Sequence, residues 1–167
     1  MMASRRWAII GTLFLSSAIM MGAGVNTFGV FFNSLMQQFG RSHAQVALLF
    51  SLVILMIGLV GPICGWLFEK FQARMIMGAG TLISAAGFVV GSRSVSYTVT
   101  VVAYILVGLG LGFCTMTAIS VVVANSIDPS ERGKAMGIAM SGNGAGGFLM
   151  IPVASFALIH LAGEQAI

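Results

Sequence analysis

Charge is what this chain has least of. Only 4 of its 167 residues are acidic and 8 are basic, a charged fraction of 7%, where a soluble domain carries roughly 25%. With 58% of the residues apolar and a mean hydropathy of +1.03, the composition belongs in a lipid bilayer. The two cysteines, Cys64 and Cys114, stand singly inside apolar runs. They supply neither a disulfide framework nor a metal-ligand spacing, and cysteine in such a run acts as a small hydrophobe. The basic residues do not cluster with aromatics, which argues against a nucleic-acid partner. Carboxylate pairs, H-E-x-x-H, a nucleophile elbow and a phosphate loop are all lacking, so the chain is expected to be no enzyme, with no catalytic residue, no metal and no cofactor. The glycine-rich GLGLG at 108–112 sits inside an apolar run with no preceding strand, which argues against a dinucleotide fingerprint. His43 and His160 fall near the ends of apolar runs and read as solvated interface residues, and Glu164 as a loop charge.

What the chain does have is apolar length. Ser4-Arg5-Arg6-Trp7 faintly resembles a twin-arginine export signal, but the run from Trp7 to about Phe32 far exceeds the roughly 7–15 residues of a cleavable signal core. It reads as a retained span. Taking about 20 apolar residues as one crossing, five spans are predicted: Trp7–Phe32, Ala44–Phe68, Met75–Ser92, Tyr97–Asn125 and Ala135–Ala162. Short connections join them at Asn33–His43, Glu69–Arg74, Arg93–Ser96 and Ser126–Lys134. Barrel strands would be about ten residues long with alternating polarity, so the elements must be helices. With the N-terminus inside, Arg5, Arg6, Lys70, Arg74, Arg132 and Lys134 face the cytoplasm, and only Arg41 and Arg93 lie outside. That distribution predicts a cytoplasmic N-terminus. The expected location is a plasma membrane, that of a bacterium.

Each span carries small residues at helical three- and four-residue steps, the pattern by which membrane helices pack backbone to backbone. The stripes run through Gly22, Asn26, Gly29 and Asn33; Gly58, Gly61 and Gly65; Gly80, Ser84, Gly87 and Gly91; Gly108, Gly112 and Thr115; and Gly133, Gly137, Ser141 and Gly144. They predict a packed bundle and no particular function. Pro62 and Pro152 lie within spans, where neighbouring helices tolerate a kink. No charged residue lies within a span, so no intramembrane proton relay is predicted. Polar side chains are the candidates for a cavity. Asn26 and Tyr104 are expected at similar depth, roughly 9–10 Å inside at about 1.5 Å per residue. Thr115, Thr117 and Asn143 are expected to form a second polar level nearer the cytoplasm. For each of these, an interhelical hydrogen bond competes with a cavity-lining role.

The turn after the second span, GPICGWLFEKFQAR at 61–74, has the form G-x-L-x-acidic-basic-x-x-x-basic on Gly65, Leu67, Glu69, Lys70 and Arg74. Gly65 is expected to admit close helix approach, and Glu69 to pair with a helix end or a nearby cation. Lys70 and Arg74 are expected to hold the turn in the cytoplasm. These residues resemble the signature loop between the second and third helices of the major facilitator superfamily. The departures are Glu69 for aspartate, Lys70 for arginine and Gln72 for glycine. A narrower resemblance is to the monocarboxylate porter-like branch, which includes oxalate/formate antiporter-like proteins. It rests on FGVFF at 28–32 with Leu35, FG at 39–40 followed by SHA at 42–44, and FSL at 50–52. It continues through GLVGP at 58–62, Tyr104 with GLGxG at 108–112, and RGxAMGIAxSGxGxG at 132–146. Drug- and sugar-type relatives often carry an arginine where Tyr104 stands. The lysine that animal members place on the first helix is missing, so their proton-coupling scheme is not transferred.

The resemblance implies an all-α integral membrane protein: five transmembrane helices of the superfamily's N-terminal six-helix half. It implies alternating access, with two halves rocking about a central site. Cavity-lining first and fourth helices would then present Asn26, Tyr104 and Thr115, and Glu69 and Arg74 would be conformational switch residues. The expected cargo is a small organic anion of monocarboxylate or oxalate type, and the expected partners are the lipid bilayer and the missing C-terminal half. Five spans are one short of a half, so residues 1–167 are expected to be an incomplete N-terminal domain that does not transport alone. Two alternatives stand beside this: a superfamily carrier of a sugar, drug or other metabolite, and a non-transporting membrane remnant or interaction protein.

Overall fold

The computed structural model describes residues 2–114 and 116–164, and no strand occurs among them. Helix α1 (Met2–Met21) passes through a π-helical turn, Gly22–Asn26, into α2 (Phe28–Phe39). Then come α3 (His43–Lys70), α4 (Ala73–Ser92), α5 (Tyr97–Gly112), α6 (Met116–Ser126) and α7 (Arg132–Glu164). Four stretches among the described residues are long and apolar enough to cross a membrane: Arg6–Phe39, His43–Lys70, Ala73–Ser92 and Tyr97–Ser126. Helix α7, with 33 residues, is about 50 Å long at 1.5 Å per residue and forms a fifth rod along α1. The molecule is an all-α, multi-pass membrane bundle.

Two rods are less regular than their hydropathy suggests. The first continues helical to Phe39 instead of ending near Phe32, because Phe32, Leu35 and Met36 still pack on Phe28, Val46 and Leu49. It stops at Gly40, whose φ of 58° only glycine adopts without strain. The Gln45 side chain then accepts from the Ser42 backbone N–H at 3.3 Å as α3 begins, satisfying one free donor of the new helix. The fourth rod is interrupted by a turn at Phe113 and Cys114. Helices α3 and α7 run on past Pro62 and Pro152.

The rods meet at glycines, but not at all the predicted ones. On α4 and α5 the stripes are contact faces. A Cβ at Gly87 would lie 2.9 Å from the Ala103 carbonyl oxygen, and one at Gly108 would lie 2.9 Å from that of Val53 on α3. Ser84 donates its hydroxyl to the Val107 carbonyl at 3.5 Å along the same α4–α5 seam. On α7 the contacts to α1 fall instead on Gly142 and Gly146, the latter against Gly22. Gly133, Gly137 and Gly144 face open space, as do Gly29, Gly58 and Gly65. The close approach expected at Gly65 is therefore not made, since nothing within 4 Å opposes that position.

This contrast is measurable. Gly108→Ala should destabilise the bundle by about 1–3 kcal/mol, the usual result of forcing a methyl into packed space, whereas Gly58→Ala should change little. Equilibrium unfolding in mixed micelles checks it, and equal losses from the two substitutions would contradict the contact map.

Candidate functional site

The first rod changes character at Gly22–Asn26, where two glycines permit a widened turn. There the Thr27 N–H reaches the Gly22 carbonyl, five residues back, at 3.2 Å. Such a π-bulge shifts one carbonyl out of the regular ladder. The Thr27 hydroxyl takes up the Ala23 carbonyl at 2.6 Å, so the irregular backbone keeps its partners within the bundle. The extra residue turns Asn26 toward α7. Its amide nitrogen donates to the Asn143 backbone carbonyl and to the Asn143 side-chain oxygen, both at 3.1 Å. Gly147 makes room for this contact, since a Cβ there would stand 2.8 Å from the Asn26 nitrogen.

Tyr104 belongs to a different wall. Its ring lies edge-on to Phe28, with centroids 5.7 Å apart, and Phe28 stacks on Phe50 at 5.0 Å. Beside it a cavity of about 250 Å³ opens among α2, α4 and α5, lined in part by Thr27, Phe31, Gln38, Phe88, Thr100 and Tyr104. Asn26, Asn143 and Thr117 do not line it. Thr117 is half-buried on α6 and faces α3 near Gly61, while Thr115 lies outside the described residues. The expected two polar levels are thus corrected. Asn143, assigned to the cytoplasmic level, bonds directly to Asn26, because the bulge and the glycines of α7 bring those helices together there.

The turn at 65–74 presents its polar residues to solvent. Leu67 packs against the cluster of Val60, Cys64, Phe68 and Ile76, while Glu69, Lys70 and Arg74 are exposed. The Lys70 ammonium sits 4.1 Å from the Trp66 ring centroid. No ion pair to Glu69 or Arg74 occurs among the described residues. The cation partner expected for Glu69 is therefore not found among the described residues; the Phe71 N–H bonds the Leu67 carbonyl at the turn, at 2.8 Å.

One constellation went unpredicted. Arg6 is ion-paired with Asp128 and, at 3.2 Å, with Glu131, which ties the start of α1 to the connection before α7. Arg132 caps the end of α6 by donating to the Ala124 carbonyl at 2.6 Å and the Ile127 carbonyl at 3.1 Å, the placement a helix C-terminus favours. The available signal was that two of the four acidic residues share one short connection.

Residues 13–166 match the family model described as Major Facilitator Superfamily. The chain belongs to the major facilitator superfamily. Within it, the chain is 28% identical over 162 residues to Monocarboxylate transporter 12 of Mus musculus, covering 96% of this chain and 33% of that protein. It is 27% identical over 163 residues to Monocarboxylate transporter 13 of Bos taurus, covering 96% and 37%. With Monocarboxylate transporter 7 of Homo sapiens it is 27% identical over 140 residues, covering 81% and 26%. The chain thus spans about a third of the length of these relatives. The match makes it a multi-pass membrane protein of a transporter family, similar to monocarboxylate porters. These relatives are animal proteins and lend no support to a bacterial inner membrane.

The asparagine contact can be isolated from general packing. A double-mutant cycle on Asn26→Ala and Asn143→Ala should return a coupling of about 0.6–1.7 kcal/mol, the range for interhelical hydrogen bonds in membranes. Additive effects would show that the side chains do not bond.

Proposed function

We propose that this chain forms part of a secondary transporter that carries small organic anions, of monocarboxylate or oxalate type, by alternating access. In this reading the five rods belong to an N-terminal half with a cytoplasmic N-terminus, and they act together with further helices of the same transporter. The observation that carries it is the match over residues 13–166, joined to relatives named monocarboxylate transporters. The positive-inside distribution of Arg5, Arg6, Lys70, Arg74, Arg132 and Lys134 supports the orientation.

Asn26, Asn143 and Tyr104 are the proposed pathway groups, with Thr115 and Thr117 as further candidates; of the described ones Tyr104 lines the cavity among α2, α4 and α5, and the others would meet cargo in the complete transporter. All are neutral, so a carboxylate cargo would meet hydrogen-bond donors here and find its counter-charge elsewhere in the protein. Half-burial of Asn26 and Asn143 beside a π-helical turn supports their place in a pathway, since transporters set irregular backbone where it lines a cavity. Glu69 and Arg74, with Gly65, Leu67 and Lys70, are the proposed conformational loop. The absence of an ion-pair partner for either charge among the described residues leaves both available to an opposing half.

Counterflow of labelled carboxylates by the complete protein in proteoliposomes tests the cargo and the site together. Asn26→Ala combined with Tyr104→Phe should abolish exchange while leaving membrane insertion intact, and unaltered exchange would overturn the site assignment. Exchange of sugars or cationic drugs instead of carboxylates would keep the superfamily and replace the cargo. Blotting a chromosomally tagged membrane fraction should reveal a polypeptide of about twelve spans. A stable five-span product would end the case for an enclosed pathway and turn attention to an interaction role.

A further inference from the structure

A second concavity lies at the end of the bundle that carries Lys70, Arg74 and the start of α1. It measures about 420 Å³ and is lined by Arg6, Trp7, Ile10, Ile127, Glu131, Lys134, Ala135 and Ile138. Its floor is apolar: Ile10, Ile127 and Ala135 are buried, and Ile138 adds an exposed apolar side chain on α7. Its rim is amphipathic. Trp7 is 65% exposed, and a tryptophan one helix end from the water sits at headgroup level.

Two cations, Arg6 and Lys134, and two carboxylates, Asp128 and Glu131, meet at that rim and differ in their pairing. Arg6 holds both carboxylates, Asp128 and Glu131, and Arg132 is turned onto the α6 carbonyls. Lys134 has no ion-pair partner among the described residues and is exposed at the mouth. An unpaired ammonium above an apolar channel, with an interfacial indole beside it, matches the chemistry of an acidic lipid. Such a lipid offers a phosphate at headgroup depth and acyl chains below it. A soluble anion would use only the ammonium and would leave the apolar floor unfilled.

We propose that this pocket, between the start of α1 and the start of α7, binds one anionic phospholipid. Lys134 contacts the phosphate, Trp7 lies along the glycerol region, and an acyl chain runs over Ile10 and Ile138. The Arg6 clasp shapes the site by tying the 128–131 connection to α1, and it pairs with both carboxylates, Glu131 on the lining included, so that Lys134 is left as the unpaired charge. The site is separate from the proposed cargo groups near Asn26 and Tyr104, and it stands whatever the cargo is.

The test is native mass spectrometry of the full-length protein in mild detergent, titrated with phosphatidylglycerol or with phosphatidylcholine. Phosphatidylglycerol should be retained over phosphatidylcholine. Lys134→Gln should lower its retention roughly fivefold, the equivalent of about 1 kcal/mol for one basic residue at a membrane surface. Lys134→Arg should restore it, and Lys70→Gln, a charge change at the same end, should leave it unchanged. Excess glycerol phosphate should not displace the lipid. Equal retention of the two lipids, an equal loss in Lys70→Gln, or displacement by glycerol phosphate would each overturn the proposal. The last outcome would mark a soluble-anion site.

Discussion

Close backbone approach at glycine is the contact on which this bundle depends. In hydrocarbon, burying a leucine against another helix gains little over burying it in lipid, so association rests on van der Waals fit and the hydrogen bonds that fit permits. The α4–α5 seam illustrates both. Gly87 admits the Ala103 carbonyl, and beside it Ser84 reaches the Val107 carbonyl. The same α5 offers Gly108 and Gly112 to α3, against Val53 and Val60. One helix thus joins two neighbours through different glycine faces, while α1 and α7 form a separate pair through Gly22, Gly142 and Gly146.

The polar geometry follows from that pairing. Asn26 reaches Asn143 because the π-helical turn adds a residue to the first rod and because Gly147 leaves its side chain room. A regular helix through 22–26 would rotate Asn26 by about 100° per residue gained or lost, away from α7. Local backbone irregularity is therefore what sets the direction of the buried amide. Thr27 stabilises that irregularity with a hydroxyl bond to Ala23. The sequence GAGVNT accordingly carries two linked properties, a flexible backbone and the side chain that fills the carbonyl the turn releases.

The all-α class and the five rods were legible in the sequence because composition and run length report directly on solvent. Helix breaks were not. The turn at Phe113–Cys114 and the π-helical turn lie inside apolar runs, where hydropathy has no contrast to offer. Spacing identified a small-residue face on each rod, but a face does not name its partner. On α4 the stripe meets α5, and on α5 Gly108 and Gly112 meet α3, but the glycine of α5 that faces Gly80 and Ser84 is Gly110, outside the predicted stripe. On α7, glycine occurs at 133, 137, 142, 144, 146, 147 and 163, and the contact uses 142, 146 and 147. The Asn26–Asn143 bond was hidden for the same reason: depth along a rod can be counted from sequence, but rotation after an irregular turn cannot.

Scarcity of acid explains the contrast between the two connections at the basic end of the bundle. With four carboxylates in the whole chain, two are used by one arginine, and the connection between α6 and α7 is fastened to α1 on the protein's own charges. The pair is partly exposed, so it contributes on the order of 0–1 kcal/mol and serves mainly to fix where the segment lies. The turn between α3 and α4 has only Glu69, and that carboxylate has no cation partner among the described residues. A turn held by backbone bonds, Phe71 to Leu67 and Met75 to Gln72, and by Lys70 over the Trp66 ring leaves the exposed Glu69 and Arg74 without an ion-pair partner among the described residues. The same end of the molecule therefore contains one connection closed by ion pairs within the bundle and one without them among the described residues, and the proposed conformational role falls on the second.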